Sequence, residues 1–322
     1  MLQYLIILLD DTSTSFCHYK NQKANPNLIS PDILKQGIFF GMKENLMIQY
    51  VLPEYELPGE YKEVMNSIDH HLIVPATCVD SNALDAADVI VFNSIQEVRV
   101  NDLKRDTIYS LRIPKEDLFE NEEVLIDVFG KVARLSITIT NIETFTESDF
   151  KKYDAILSAF AKEIEKLNVE GKDAQLNLLT DRIFLKRMNN CGAGDTNITL
   201  APDGKFYICP AFYQADSKTI LSDTYSVGSL EDGLDIKNKQ LYKLDFAPLC
   251  KKCDAYQCRR CVWLNRKTTL EVNTPSHEQC VIAHIERNNS REISEYFRSN
   301  GDLEISAIKE IDYLDPFDNF NK

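Results

Sequence analysis

Residues 250–261 read CKKCDAYQCRRC, so two CxxC pairs follow each other closely. The short turn inside a CxxC pair brings two thiolates within reach of one metal, and two such pairs in succession are typical of a metal site. The surrounding charge agrees with this interpretation, because residues 250–267 contain six Lys or Arg side chains and one acidic residue, Asp254. Metal centres with thiolate ligands are anionic, and neighbouring cations offset their charge.

The other cysteines extend this cluster. Of nine in the chain, seven lie between Cys191 and Cys280, whereas Cys17 and Cys78 lie in the first 190 residues. Residues 202–204 read PDG between two apolar stretches, which predicts a β-hairpin over 197–208 that brings Cys191 and Cys209 together. We therefore predict seven metal ligands: Cys191, Cys209, Cys250, Cys253, Cys258, Cys261 and Cys280.

The chain opens on an apolar run, Leu5 to Leu9, that is followed directly by Asp10 and Asp11. This run is too short to span a bilayer and lacks the basic segment of a secretion signal. Without such a signal, nine cysteines indicate a reducing compartment, where clustered cysteines are more often metal ligands than disulfides. We expect a cytoplasmic protein with no membrane partner.

Length and charge narrow the class of partner. A chain of 322 residues with 44% hydrophobic content is long enough for one large domain and a smaller one. Its formal net charge of -14 disfavours binding to nucleic acid or to anionic lipid, because both need clustered Lys and Arg. The expected partners are proteins, peptides or small molecules, and no nucleic acid.

The first half of the chain alternates between strand and helix patterns. The continuous apolar run over 4–9 is typical of a strand that is buried on both faces. The predicted strands are 4–9, 47–52, 72–77, 89–93, 107–112 and 135–140, and the predicted helices are 33–45, 60–68, 121–130 and 147–167. This order indicates an α/β fold with a mostly parallel sheet, either open or closed into a partial barrel. We predict an α/β domain over 1–185, a cysteine-rich domain over 186–298 and an acidic tail over 299–322.

The order of the cysteines resembles the SPASM pattern of auxiliary-cluster domains. That pattern has a Cys before a hairpin, a Gly-x4-Cys element (here Gly204 to Cys209), a CxxC pair, two more Cys and a last Cys. After Cys253 this chain departs from the pattern, because the next two cysteine spacings are each one residue shorter.

The SPASM resemblance implies up to two 4Fe-4S clusters. Cys250, Cys253, Cys258 and Cys280 would hold one cluster, and Cys191, Cys209 and Cys261 would hold another whose fourth iron has no cysteine. Zinc is the alternative, since four thiolates suit that ion equally well. His277 is a further candidate ligand for the three-cysteine site.

A partial (β/α) barrel of radical-SAM type followed by a small SPASM-like domain is the layout that this resemblance implies. Radical-SAM enzymes hold the cluster that cleaves S-adenosylmethionine on a CxxxCxxC motif after the first strand. With Cys17 as the third position of that motif, the first two positions fall on Asp10 and Thr14. The glycine-rich element after the second strand is also missing, since residues 51–56 read VLPEYE. We therefore expect no cleavage of S-adenosylmethionine by this chain.

The chain as a whole resembles the CXXX repeat peptide maturase family. The resemblance rests on residues 8–13 (LLDDTS), 16–19 (FCHY) and 37–45 (GIFFGMKEN), and continues through Cys280. It implies maturation of small ribosomal peptides with repeated Cys-x-x-x units, with a radical-SAM enzyme as a candidate partner. The main hypothesis is a pseudo-radical-SAM protein that binds or positions the precursor through auxiliary iron-sulfur clusters, with a substrate thiolate as the fourth ligand of the three-cysteine cluster.

Two other hypotheses remain open. A zinc-stabilised structural or scaffold protein would use the cysteines without catalysis. An enzyme of another class would use Cys17 as a nucleophile, with His18 or a distant His as the base. Arg287 and Arg291, on the helix predicted after Cys280, are interpreted as part of a solvated helix face.

Overall fold

The structure is a computed structural model that describes residues 1–17, 23, 25–215 and 225–300. The chain is divided into two compact units. The first unit consists of residues 1–93 and 192–243, and the second unit of residues 94–191 together with the chain from 244 onward. The candidate base His18 and the predicted tail after residue 300 lie outside the described residues. The predicted domain boundaries at 185 and 298 stay predictions.

The described elements follow the predicted alternation closely. The strands are β1 (Tyr4–Leu8), β2 (Met47–Val51), β3 (His70–Pro75), β4 (Val89–Phe92), β5 (Ile108–Ile113), β6 (Arg134–Ile139), β7 (Gln175–Leu176), β8 (Asn197–Leu200), β9 (Lys205–Tyr207), β10 (Ser226–Ser229) and β11 (Gly233–Leu234). The α-helices are α1 (Pro31–Lys43), α2 (Gly59–Met65), α3 (Ser81–Asp85), α4 (Ile95–Val100), α5 (Lys115–Glu120), α6 (Glu122–Phe129), α7 (Glu147–Val169), α8 (Asp181–Phe184), α9 (Pro210–Gln214), α10 (Val262–Thr269) and α11 (His277–Asn300). Every strand and helix predicted for the first half is present, with ends that differ by a few residues.

The strands of the first unit form a mostly parallel sheet. β1 pairs in parallel with β2 and with β8, and β2, β3 and β4 continue the parallel pairing. In this unit the strand order is β11-β10-β9-β8-β1-β2-β3-β4. The side chains of β1 are fully or almost fully buried after its first residue, as a strand covered on both faces requires.

Helix α1 begins where its capping residues predict. The Oγ of Ser30 accepts a hydrogen bond from the backbone N–H of Ile33, and Pro31 occupies the first turn. Gly37 lets the helix approach the sheet closely, because a Cβ at this position would lie 2.3 Å from Cδ2 of Leu200. This close packing holds α1 against β8 and β1, and residues 9–17 follow the carboxyl end of β1.

The predicted hairpin before Cys209 is confirmed. β8 and β9 pair antiparallel, with Thr199 opposite Tyr207. The turn between them needs a positive φ, which Gly204 supplies at 76°. Asp203 closes the turn by accepting a hydrogen bond from the N–H of Lys205 at 3.1 Å.

The second unit combines three parallel strands with two long helices. β5, β6 and β7 pair in parallel. α7 starts at a capping box formed by Thr146 and Asp149, and it buries the apolar face that its periodicity predicts. α11 lies beside α7 in this unit, where Asn289 donates to Asp154 at 2.8 Å and accepts from Ser158 at 2.9 Å. None of the helices in the described ranges has both the length and the apolar character needed to cross a bilayer.

Candidate metal centre

Four of the predicted ligands, Cys250, Cys253, Cys258 and Cys280, lie in the second unit. The N–H of Cys253 donates to the carbonyl of Cys250, and the N–H of Cys258 donates to the carbonyl of Ala255, both at 3.0 Å. The Cys250–Cys253 pair therefore sits on a tight turn, and a second turn leads into Cys258. Burial, followed by charge repulsion from Cys250, Cys253 and Cys280, raises the pKa of Cys258 well above its usual value.

Burial disfavours the thiolate forms of Cys250 and Cys258. It raises the pKa of Cys250 to about 12, although the nearby charge of Arg260 acts in the opposite direction. Ala247 and Met188 pack against Cys250 and exclude water from this side of the site. Metal binding replaces thiol protons, so such buried thiols favour a metal that offsets the cost of forming thiolates.

The chemistry of the donor set fits a thiolate-bound metal. Within the described ranges, no three Cys, His, Asp or Glu side chains stand where they could hold a metal ion as they are. The assignment of these cysteines to one centre therefore rests on their spacing in the sequence and on the chemistry of their thiols. Four thiols are the ligands of both 4Fe-4S clusters and structural zinc, so the chemistry of the set suits either. The ligand assignments stay predictions.

Two further predicted ligands lie in the second unit. The N–H of Cys191 donates to the carbonyl of Arg259 at 2.8 Å, and its Sγ lies 3.9 Å from the carbonyl of Arg260. Cys191 is therefore placed against the segment that carries Cys261. The Sγ of Cys261 accepts from the N–H of Leu264 at 3.5 Å at the start of α10.

Cys209 belongs to the first unit, where it directly precedes α9. Its predicted approach to Cys191 and Cys261 stays a prediction. His277, the other candidate for the three-cysteine site, opens α11 with a side chain that is 39% exposed. The edge of its ring faces Phe150.

His284 contacts the four-cysteine set and was missed by the sequence reasoning. Its Nε2 lies 3.5 Å from Sγ of Cys253, and the residue is buried on α11. Cys280 and His284 are separated by one helical turn, so they share a face of that helix. This spacing is the signal that could have found His284 from the sequence.

A buried ion-pair cluster lies beside Cys253. The carboxylate of Asp254, 2% exposed, contacts Nη1 of Arg287 at 3.0 Å, Nη2 of Arg291 at 2.8 Å and Nη2 of Arg182 at 3.4 Å. Burial alone would raise the pKa of Asp254, but the three guanidinium charges outweigh it and hold the pKa below its usual value. Arg287 is 3% exposed, so the interpretation of this residue as part of a solvated face is wrong.

A second buried carboxyl lies on the same helix. Glu286 accepts hydrogen bonds from the hydroxyl of Tyr153 at 2.8 Å and from Nε2 of Gln257 at 3.2 Å. Burial raises its pKa to about 7, although both hydrogen bonds act in the opposite direction. A carboxyl with this pKa changes charge near neutral pH next to the loop that contains Cys258.

In the first unit, the segment after β1 is organised around a carboxylate instead of cysteines. Asp10 is fully buried and accepts hydrogen bonds from the N–H and Oγ1 of Thr12, the N–H of Asn27 and the hydroxyl of Tyr55, at 2.5–2.9 Å. Its own N–H donates to Oγ of Ser13. We call this set the Asp10 network. When Cys17 is taken as the third cysteine of the CxxxCxxC motif, Asp10 stands at the position of the first cysteine.

The neighbouring positions are also engaged. Thr14 is buried, and its Oγ1 accepts from Nδ2 of Asn93 at 3.4 Å. Tyr213 donates its hydroxyl proton to Asp11, and burial, with this hydrogen bond second, raises the pKa of Tyr213. Cys17 is partly exposed. Its role as a nucleophile stays untested, since the adjacent His18 is not described.

The chain is similar to known proteins in structure and not in sequence. No protein-family model and no curated protein matches the sequence. Native anSMEcpe with bound AdoMet and Cp18Cys peptide matches with a TM-score of 0.60 and 12% identity, over 94% of this chain and 100% of that chain. Native anSMEcpe with bound AdoMet and Kp18Cys peptide matches with a TM-score of 0.57 and 12% identity, over 93% and 100% of the two chains.

These matches define the class of fold. anSME is an anaerobic sulfatase-maturating enzyme, a radical-SAM protein with a SPASM domain. This chain has the α/β fold of such enzymes over nearly its whole length, and the predicted fold class is confirmed. At 12% identity the likeness concerns the fold, and the AdoMet and the peptides belong to the solved enzyme.

Proposed function

We propose that this protein takes part in the maturation of a ribosomally made peptide with repeated cysteines, by binding or positioning the precursor through iron-sulfur clusters. The observation that carries this proposal is the contact, at 3.5 Å, between Sγ of Cys253 and His284, which stands one helical turn after Cys280, in a chain with the α/β fold of radical-SAM and SPASM enzymes. The solved enzyme of the same fold holds a peptide, which supports a peptide as the partner here.

The two cysteine sets would have different roles. The four-cysteine set would complete the ligand shell of one 4Fe-4S cluster and so hold a structural or electron-transfer centre. The set of Cys191, Cys209 and Cys261 would leave one iron open. A substrate thiol could bind there after losing its proton to solvent, and nearby Lys and Arg side chains of residues 251–267 would favour its thiolate form.

The Asp10 network supports a role without cleavage of S-adenosylmethionine by this chain. Its carboxylate is held by four donors, and Thr14 is committed to Asn93. Neither side chain resembles the thiolates that a CxxxCxxC cluster needs. A separate radical-SAM enzyme is therefore the candidate source of any radical step on the peptide.

Metal analysis tests the cluster assignment. Anaerobically purified protein is expected to contain about eight iron atoms with matching acid-labile sulfide, four in each of two clusters. Cys253→Ala should lose about half of this iron, whereas Cys78→Ala, a buried thiol of the first unit outside the ligand set, should keep it all. One or two zinc atoms without sulfide would overturn the cluster assignment and leave the alternative of a zinc-stabilised scaffold.

Peptide binding tests the role of the open iron. A precursor peptide with a Cys-x-x-x repeat is expected to change the absorption and electron paramagnetic resonance spectra of the loaded protein, because a new thiolate binds iron. The same peptide with Ser in place of Cys should bind more weakly and leave the spectra unchanged. Equal binding of both peptides, with no spectral change, would refute coordination of the substrate.

A further inference from the structure

The loop between Cys253 and Cys258 is attached to α11 at two points. At one end, the carboxylate of Asp254 contacts Arg287 at 3.0 Å and Arg291 at 2.8 Å. At the other end, Nε2 of Gln257 donates to the carbonyl of Ala283 at 2.7 Å. Both attachments come from residues that directly adjoin a predicted ligand.

The attached helix also carries the fourth cysteine. Ala283 and Arg287 follow Cys280 by three and seven positions, so the three residues lie along one face of α11. His284, on the same face, reaches Sγ of Cys253 at 3.5 Å. The contacts of the loop with α11 therefore determine where Cys253 and Cys258 stand relative to Cys280.

A third contact attaches the loop to a residue outside α11. Arg182 on α8 is fully buried, donates from Nε to the carbonyl of Asp254 at 3.0 Å and shares its carboxylate at 3.4 Å. Nη1 of Arg182 has no hydrogen-bond partner in the part of the chain that the structure describes. A buried cation with an unsatisfied N–H favours a further anion nearby, and a thiolate-bound metal centre is an anion.

We infer that Asp254, held by Arg182 and Arg287, is a positioning residue for the metal centre: it fixes the Cys253–Cys258 loop on the helix that carries Cys280 and gathers guanidinium charge beside the thiolates. This inference rests on the proposed function as far as the cluster is concerned. The loop attachment itself applies to any metal that the four cysteines bind. Groups of this kind orient the ligands of metal sites and tune the metal through charge.

The test compares Asp254→Asn with Asp245→Asn in the metal-loaded protein. Asp245 is exposed in the same unit, so its substitution makes the same chemical change at a solvated carboxyl group outside the buried ion-pair cluster. Asp254→Asn is expected to release metal to a chelator about tenfold faster than wild type. It should also raise the reduction potential of the cluster, since removing a negative charge favours the reduced form. Asp245→Asn should leave both quantities unchanged.

A second pair of variants covers the case in which Asp254→Asn fails to fold. Arg182→Gln removes a buried cation and is expected to lower the potential, whereas Arg182→Lys keeps the charge and should stay near wild type. Unchanged potential and unchanged metal release in Asp254→Asn and Arg182→Gln would overturn the inference. If wild type holds zinc without sulfide, the cluster proposal fails, while the release rate of zinc still decides whether Asp254 positions the loop.

Discussion

Replacing Asp10 by Ala is expected to destabilise the first unit by about 3 to 5 kcal/mol. The carboxylate is fully buried, and the substitution would leave the N–H of Asn27 and the hydroxyl of Tyr55 without their acceptor. Thr12 would lose two bonds as well. A buried carboxyl group that accepts four hydrogen bonds contributes more than an exposed one, and its removal leaves several donors without the acceptor that the fold provides.

Urea unfolding followed by circular dichroism measures this loss. Hydrogen exchange of the amides of β1 and β2 shows whether the first unit is the one affected. Asp69→Ala is the matched control, because Asp69 is exposed in the same unit. Asp10→Asn should fall between the two, since it keeps one acceptor oxygen but turns an amide toward the remaining donors. Equal unfolding midpoints for Asp10→Ala and Asp69→Ala would show that the network does not stabilise the unit.

Glu286→Gln is expected to remove a pH dependence of about 3 kcal/mol from the stability of the second unit. Burial raises the pKa of Glu286 from its usual 4.5 to about 7. The folded state therefore holds this proton more tightly than the unfolded state. The contribution of Glu286 to the stability of the folded state is fully present below pH 4.5 and is lost as the pH rises through about 7.

The measurement is the free energy of unfolding of wild type and variant between pH 4 and pH 8. The difference between the two curves isolates Glu286, because the other titrating groups are common to both. Glu295→Gln, at an exposed position of the same helix, should follow the wild-type curve. A wild-type curve parallel to that of Glu286→Gln would mean that the carboxyl titrates normally. Gln can keep both partners, by donating to Tyr153 and accepting from Gln257.

The strands and helices of the fold could be predicted from the sequence because their signals are local. The strand 4–8 is a continuous apolar run, α1 begins at a capping Ser followed by Pro, and the hairpin before Cys209 turns on a Gly with positive φ. The metal-centre prediction likewise rested on spacing within a short segment. Signals of this kind depend on neighbours in the chain and not on how distant segments meet.

The buried polar groups could not be predicted in the same way. Asp254 contacts Arg182, which is 72 positions away in the chain, and Glu286 contacts Tyr153, which is 133 positions away. Asp10 owes its role to Tyr55, 45 positions away. An isolated charged residue on an amphipathic helix is usually solvated, so Arg287 gave no sign of burial until its partner was known. His284 is the exception, because its one-turn spacing from Cys280 is visible in the sequence.

The Asp10 network also has a consequence for sequence change. Cysteines at positions 10 and 14, together with Cys17, would create the spacing CxxxCxxC. The first of these changes would remove a carboxylate that four donors need, before any cluster could form to replace it. A chain that acquired these cysteines one at a time would pass through a less stable protein that does not yet have the full motif. The network therefore disfavours the stepwise appearance of a CxxxCxxC motif at these positions.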